Sequence, residues 1–157
     1  MQLPQTIAYL GNSNVKRDGV PEQWTPEKLK EYKKCMEDPA YFAEKYLKVI
    51  HLDKGLVPFK LYPYQREMFD HFNNNRFSIV LACRQSGKSI SSVAYLLWFA
   101  LFHSEKTIAI LANKGATARE MLARVTLMLE NIPFFLQPGC KALNKGSIEF
   151  SNNSRIM

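Results

Sequence analysis

The sequence predicts an α/β fold with parallel strands, and three observations carry that expectation. First, "RFSIVLA" is a compact, β-rich apolar run, the pattern of a buried strand. Second, a long helical stretch follows it and leads to a second such run, "TIAILAN". Third, an amphipathic helix pattern follows that. Strand, helix, strand, helix in this order implies parallel strands joined by right-handed crossovers.

The elements are justified in chain order. Residues 1–24 mix Gly, Asn, Pro and both charges without periodicity and read as an irregular arm. Thr25 can cap a helix whose first position is Pro26. Leu29, Tyr32 and Met36 then recur at helical spacing. Asp38-Pro39 restarts the pattern, with Phe42, Tyr46 and Leu47 as a second apolar stripe; core packing is the favoured reading of these aromatics. Gly55 and Pro58 mark a loop. Tyr64, Met68, Phe69 and Phe72 line one side of a short helix.

Residues 77–82 are the first predicted strand. From residue 87 to 103 the pattern is helical and apolar nearly all round, the mark of a buried helix. Residues 107–113 are the second strand. Met121, Leu122, Val125, Met128, Leu129 and Ile132 give an amphipathic helix that Pro133 ends. "GSIEFSNNSRIM" reads as a hairpin with Asn152-Asn153 at the turn, where positive φ is tolerated. A helical N-terminal segment over residues 1–60 thus precedes an α/β unit over residues 61–157. The predicted sheet has few strands, so its edge needs a partner.

Composition narrows the class. The 157 residues are 46% hydrophobic and 22% charged, enough to bury one core. Lys and Arg number 21 against 14 Asp and Glu, a net charge of +7. That excess suits a polyanion such as nucleic acid, and equally a generic basic surface, since the basic residues are dispersed. Cys35, Cys83 and Cys140 form no Cys-x-x-Cys pair, so no zinc site or disulfide framework follows and a reducing cytosol is the expected setting. The first residues lack a signal peptide's apolar core. "VAYLLWFALF" is too short to span a bilayer.

The chemistry concentrates between the first strand and the helix after it. Ala82-Cys83-Arg84-Gln85-Ser86-Gly87-Lys88-Ser89 matches the second half of a phosphate-binding loop, with Ala82 in place of the first glycine. In such a loop the backbone N–H groups of Cys83, Arg84, Gln85, Ser86 and Gly87 cradle phosphate oxygens. Lys88 neutralises the β- and γ-phosphates, and the Ser89 hydroxyl holds Mg²⁺. The helix that follows aims its N-terminal dipole at the same anion. Arg84 suits a cis-acting arginine at the γ-phosphate, and equally a surface arginine paired with a nearby acid. Gln65 offers one donor group and one acceptor suited to an adenine edge, with Tyr64 beside it to stack. The competing reading of Gln65 is a polar residue on an exposed helix face. Together these features predict ATP and Mg²⁺ as ligands and the P-loop NTPase architecture, a RecA-like parallel sheet flanked by helices.

Hydrolysis needs a further element, a hydrophobic strand ending in acids that hold Mg²⁺ and activate water. Glu130 in "LMLEN" continues a helical stripe, and Glu149 in "SIEF" sits in a half-exposed hairpin strand. Neither qualifies, so the chain alone is expected to hydrolyse little.

At this point the chain resembles the large terminase subunit of T-even-type tailed bacteriophages, the DNA-packaging motor. The resemblance runs from about Tyr9 and rests on "QWTPEKLKEYKKC", "YFAEKYLKVIHLDKG", "LYPYQREMF", "CRQSGKS", "IAILANKG" and "PFFLQPGCKALNKGSIEFSNNSRI". It implies an N-terminal ATPase domain and a C-terminal RNase H-like nuclease domain. It implies a ring of subunits on the procapsid portal protein, with the small terminase subunit and double-stranded DNA as further partners, in the host cytoplasm. By motif match, Lys88 and Ser89 take the phosphate and Mg²⁺ roles, Arg84 the in-loop arginine role and Gln65, with Tyr64, the adenine role. A glutamine found in some relatives five positions earlier is Lys60 here. The family's acidic strand, coupling motif and nuclease have no counterpart in this sequence, which is expected to be the front of a longer ATPase. Two other readings fit the loop: part of a superfamily-two helicase, and a non-catalytic module that holds nucleotide or DNA.

Overall fold

The computed structural model describes residues 7–157. It contains five α-helices, one short 3-10 turn and eight short strands among the described residues. Local chemistry accounts for the helix starts. In α1 (Pro26–Glu37) the Thr25 hydroxyl accepts from the Lys28 N–H, and Pro26 occupies the first turn. In α2 (Pro39–Tyr46) the Asp38 carboxylate accepts from the Ala40 and Tyr41 N–H groups. Both are side-chain caps of otherwise orphaned donors. Helix α3 (Pro63–Asn74) follows, then α4 (Lys88–Phe102) and α5 (Gly115–Leu129). Helix α5 stops at Leu129, short of the predicted Ile132.

The predicted parallel sheet of a P-loop NTPase does not form. The strands make three small sheets, mostly antiparallel. Strands β1 (Ala8–Tyr9) and β2 (Asn12–Lys16) pair antiparallel, where an irregular arm was expected; residues 1–6 of that arm lie outside the described residues. Strands β3 (Lys48–His51) and β4 (Gly55–Pro58) form a second antiparallel pair, where a loop was expected. The largest sheet has the order β5-β8-β7-β6, from β5 (Thr107–Ile108), β6 (Cys140–Leu143), β7 (Ile148–Phe150) and β8 (Arg155–Ile156). Only β5 and β8 run parallel in it.

The segment at residues 77–82 is the decisive difference. It belongs to no strand. Phe77, Ile79 and Leu81 are 82%, 99% and 100% exposed. The second predicted strand shrinks to two residues and pairs with β8 instead. Parallel pairing requires two segments to find each other across a crossover, and the C-terminal hairpin takes that place. The predicted hairpin itself is present, with Asn153 at φ 62° in its turn.

The core forms around α4. Val93, Ala94, Leu97, Trp98, Ala100 and Leu101 are buried, and α4 packs against α2, α3 and α5. One cluster of buried side chains runs from Val15 to Ile156. Two buried or half-buried amides tie the sheets to this core. Gln137 accepts from the Lys16 N–H at 2.7 Å and donates to the carbonyls of Asn14, Leu129 and Ile132. Asn152 donates to the carbonyls of Ala100 and Leu101 at the end of α4, groups that a helix C-terminus leaves without partners. Among the described residues no helix is long and apolar enough to cross a membrane.

A polar cluster joins α1 to α2. One Glu31 oxygen accepts from Tyr41 Oη at 2.8 Å, Lys45 Nζ at 2.7 Å and Tyr46 Oη at 2.9 Å. Burial pushes the Glu31 pKa up, but the bonds from Lys45, Tyr41 and Tyr46 outweigh it and bring it from 4.5 down to about 2. A depressed carboxylate contributes stability above its unfolded pKa that is lost as pH falls through the folded one. This share of stability is therefore expected to vanish between pH 4.5 and about 2. Urea unfolding across that range should show a shallower pH dependence in Glu31→Gln than in the wild type. Identical slopes would remove Glu31 from the account. The adjacent Cys35 thiol is pushed up to about 12, first by burial and then by Glu31, so it stays protonated and inert.

Candidate functional site

The residues predicted to bind phosphate lie between α3 and α4. Helix α3 begins with a reciprocal cap: the Tyr62 N–H donates to Gln65 Oε1 at 2.9 Å, and the Gln65 N–H donates to the Tyr62 carbonyl. This fixes the first turn of α3 and places two side chains against the loop. Tyr64 Oη donates to the Ser86 carbonyl. Gln65 Nε2 approaches the Gly87 carbonyl at 3.4 Å.

The loop closes on its own backbone. Ser86 Oγ and Lys88 Nζ both donate to the Cys83 carbonyl, at 2.9 Å and 2.8 Å. Gln85 has φ 62° and Gly87 φ 80°, both left-handed. Position 87 favours glycine on two counts. Its φ is unfavourable for any residue with a Cβ, and a Cβ there would lie 2.7 Å from Gln65 Nε2.

Helix α4 starts at Lys88 with no side-chain cap at its N-terminus. Its first N–H groups are thus available to an anion, and its dipole favours one. The hydroxyls of Ser91 and Ser92 turn back onto the carbonyls of Gly87 and Lys88. The Ser89 hydroxyl has no hydrogen bond among the described residues and lines a groove beside the loop.

That groove measures about 880 Å³. Gln85, Gly87, Lys88 and Ser89 form its loop side. Strand β3 contributes Lys48, Val49 and Ile50, and α5 contributes Glu120, Arg124 and Leu127. Sequence reasoning missed both walls, since it assigns no element to residues 48–50 and the exposed side of α5 carries no motif. Only the adjacent β-branched residues Val49 and Ile50 in "KVIHL" hint at a strand.

The structure thus brings Tyr64, Gln65, Ser86 and Gly87 together, and Cys83 with Lys88. Arg84 is exposed and has no ion pair among the described residues. The Cys83 thiol is exposed as well. Tyr64 and Gln65 do not line the groove.

The fit to a magnesium–nucleotide complex is good at the phosphate end and sparse at the metal end. An uncapped fifteen-residue helix, the left-handed glycine before it and the lysine at its first position suit a polyphosphate. For Mg²⁺, which commonly keeps several waters and phosphate oxygens, the chain offers the Ser89 hydroxyl. No group of three or more His, Cys, Asp or Glu suited to a metal occurs among the described residues. The groove's one carboxylate, Glu120, is paired with Arg124 at 2.6 Å. Glu130 is engaged by Asn12 Nδ2 at 2.6 Å, away from the loop.

No model of a known protein family matches this chain.

Proposed function

We propose that the chain binds a magnesium-bound nucleoside triphosphate through residues 82–89, and that it serves as the nucleotide-binding portion of a terminase large subunit. In the family it resembles, the nucleotide is ATP and the work is packaging double-stranded viral DNA into a procapsid. One observation carries the reading: Lys88 and Ser89 stand at the uncapped start of α4, directly after a left-handed Gly87. The reading rests on this loop and helix, not on a parallel sheet.

In the proposed site the N–H groups at the head of α4 and the Lys88 ammonium bind and orient the phosphates. Ser89 supplies a hydroxyl to Mg²⁺, and Arg84 is free to reach the terminal phosphate. When bound, the metal supplies charge neutralisation between the outer phosphates. Among the described residues that line the groove the one carboxylate is Glu120, on the exposed face of α5, and the proposed activity of the chain itself is binding rather than turnover. Isothermal calorimetry with Mg-ATP tests the assignment, with binding expected for the wild type and markedly weakened on removal of the Lys88 charge.

DNA, the portal protein, the small terminase subunit and a homo-oligomeric ring in the host cytoplasm are the partners and setting proposed for the assembled motor. The net charge of +7 supports the first. Binding of this chain to duplex DNA is expected to weaken linearly in log K against log salt, because phosphate contacts release counterions. A fluorescence anisotropy titration with no salt dependence would remove DNA from the list.

A further inference from the structure

We propose that Tyr64 and Gln65 are positioning residues that aim the phosphate loop's N–H groups, and that they leave the site tolerant of the base. The inference rests on the nucleotide-binding reading above and names what that site selects.

The argument begins with the planar trans peptide. In it the carbonyl and the next residue's N–H point in opposite directions. The Ser86 carbonyl is held by Tyr64 Oη on the α3 side. The Gly87 N–H, in the same peptide unit, must therefore face away from α3. The Gly87 carbonyl accepts from the Ser91 N–H and Oγ at 3.0 Å each, and Gln65 Nε2 adds a third donor at 3.4 Å. The Lys88 N–H, in the peptide unit of that carbonyl, is set first by the α4 bonds from Ser91, and Gln65 braces it from the α3 side. Two successive peptide units at the head of α4 are thus contacted by two successive side chains of α3, the first held by Tyr64 and the second braced by Gln65.

The same geometry leaves neither side chain a free polar group with which to tell one base from another, although Tyr64 is 40% exposed. Gln65 is only 2% exposed. Its oxygen is committed to the Tyr62 N–H and its nitrogen approaches Gly87. The Tyr64 ring stacks on Tyr62, with centroids 5.8 Å apart and planes 8° from parallel. Its hydroxyl is spent on the loop. Neither residue lines the groove that the loop faces.

Two conservative variants separate aiming from base reading. Gln65→Met keeps the length of the side chain, adds no charge beside the phosphates and removes the donor to Gly87, with the α3 cap lost alongside it. Tyr64→Phe keeps the ring and removes the donor to Ser86. Affinities for Mg-ATP, Mg-GTP and magnesium tripolyphosphate are measured by calorimetry for both variants, with thermal unfolding as the control for folding. Each variant is expected to weaken all three ligands by the same factor, about two- to tenfold for one lost hydrogen bond. The wild type is expected to bind ATP and GTP alike within a fewfold.

A loss confined to ATP, with tripolyphosphate unchanged, would make Gln65 or Tyr64 a base reader and overturn the proposal while keeping the nucleotide site. Unchanged affinity for all three in both folded variants would overturn it too. Affinity left unchanged by Lys88→Ala, or no binding by the wild type, would instead sink the nucleotide reading on which it rests.

Discussion

Lys88→Ala is expected to weaken Mg-ATP binding about 10- to 150-fold, the equivalent of one charge-assisted hydrogen bond of about 1.5–3 kcal/mol. The lysine is placed for this by its position alone. It is the first residue of α4, where the helix dipole already favours an anion. Its ammonium donates to the Cys83 carbonyl at 2.8 Å, so a phosphate competes with a neutral acceptor on the same loop. A charged acceptor wins that exchange, because bonds between ionised groups are roughly twice as strong as neutral ones. Alanine removes both contacts and leaves the Cys83 carbonyl with its bond from Ser86 Oγ. The fold should therefore tolerate the change, and calorimetry on a protein of unchanged melting temperature is the check. Equal affinities in wild type and variant would exclude the loop as the phosphate site.

The largest stability effect is expected at Trp98. Its indole is buried in the middle of α4, packed near Tyr95, Phe102 and His103. Its Nε1–H donates to the Cys35 carbonyl at 2.7 Å, so it joins α4 to α1 by packing and by a hydrogen bond. Trp98→Ala should destabilise by about 3–5 kcal/mol. In a chain of this size, that lowers the melting temperature by roughly 6–20 °C. Trp98→Phe keeps most of the packing and leaves the Cys35 carbonyl without this donor, for about 1–3 kcal/mol. Circular dichroism melts of the two variants separate the contributions. A loss below about 0.5 kcal/mol for alanine, within the range of ordinary surface changes, would show that α4 is not the centre of the core.

Much of the helical framework was legible in the sequence, for a physical reason visible at particular residues. Thr25, Asp38 and the prolines after them act on N–H groups within three residues. The glycine at 87 answers a local φ. The apolar stripe of α4 is dense enough to demand burial whatever surrounds it. Strands were legible only in part. The hairpin at Ile148–Phe150 and Arg155–Ile156 was found because its turn is local. The pair β3–β4 was passed over because Gly55 and Pro58 were read as loop punctuation, though Gly55 (φ 68°) opens β4 and Pro58 closes it. Strand β6 was missed because its short "CKAL" run makes sense only beside β7.

The sequence by itself determined where α1, α2 and α4 begin, though not α5, which starts at Gly115, six residues before the stripe from Met121, and that a glycine-lysine-serine loop stands at the head of the most apolar helix. These features depend on hydrogen bonds and dihedral angles spanning a few residues. Only the tertiary structure decided what the loop is braced by and what faces it. It placed Gln65, a candidate reader of a base in the sequence, buried beside Gly87, and it set β3 and α5 across the groove from Lys88. It also paired β5 with β8 and left residues 77–82 outside every sheet. A strand's partner is chosen among all segments of the chain that compete for the same edge, and no window of neighbouring residues contains that choice.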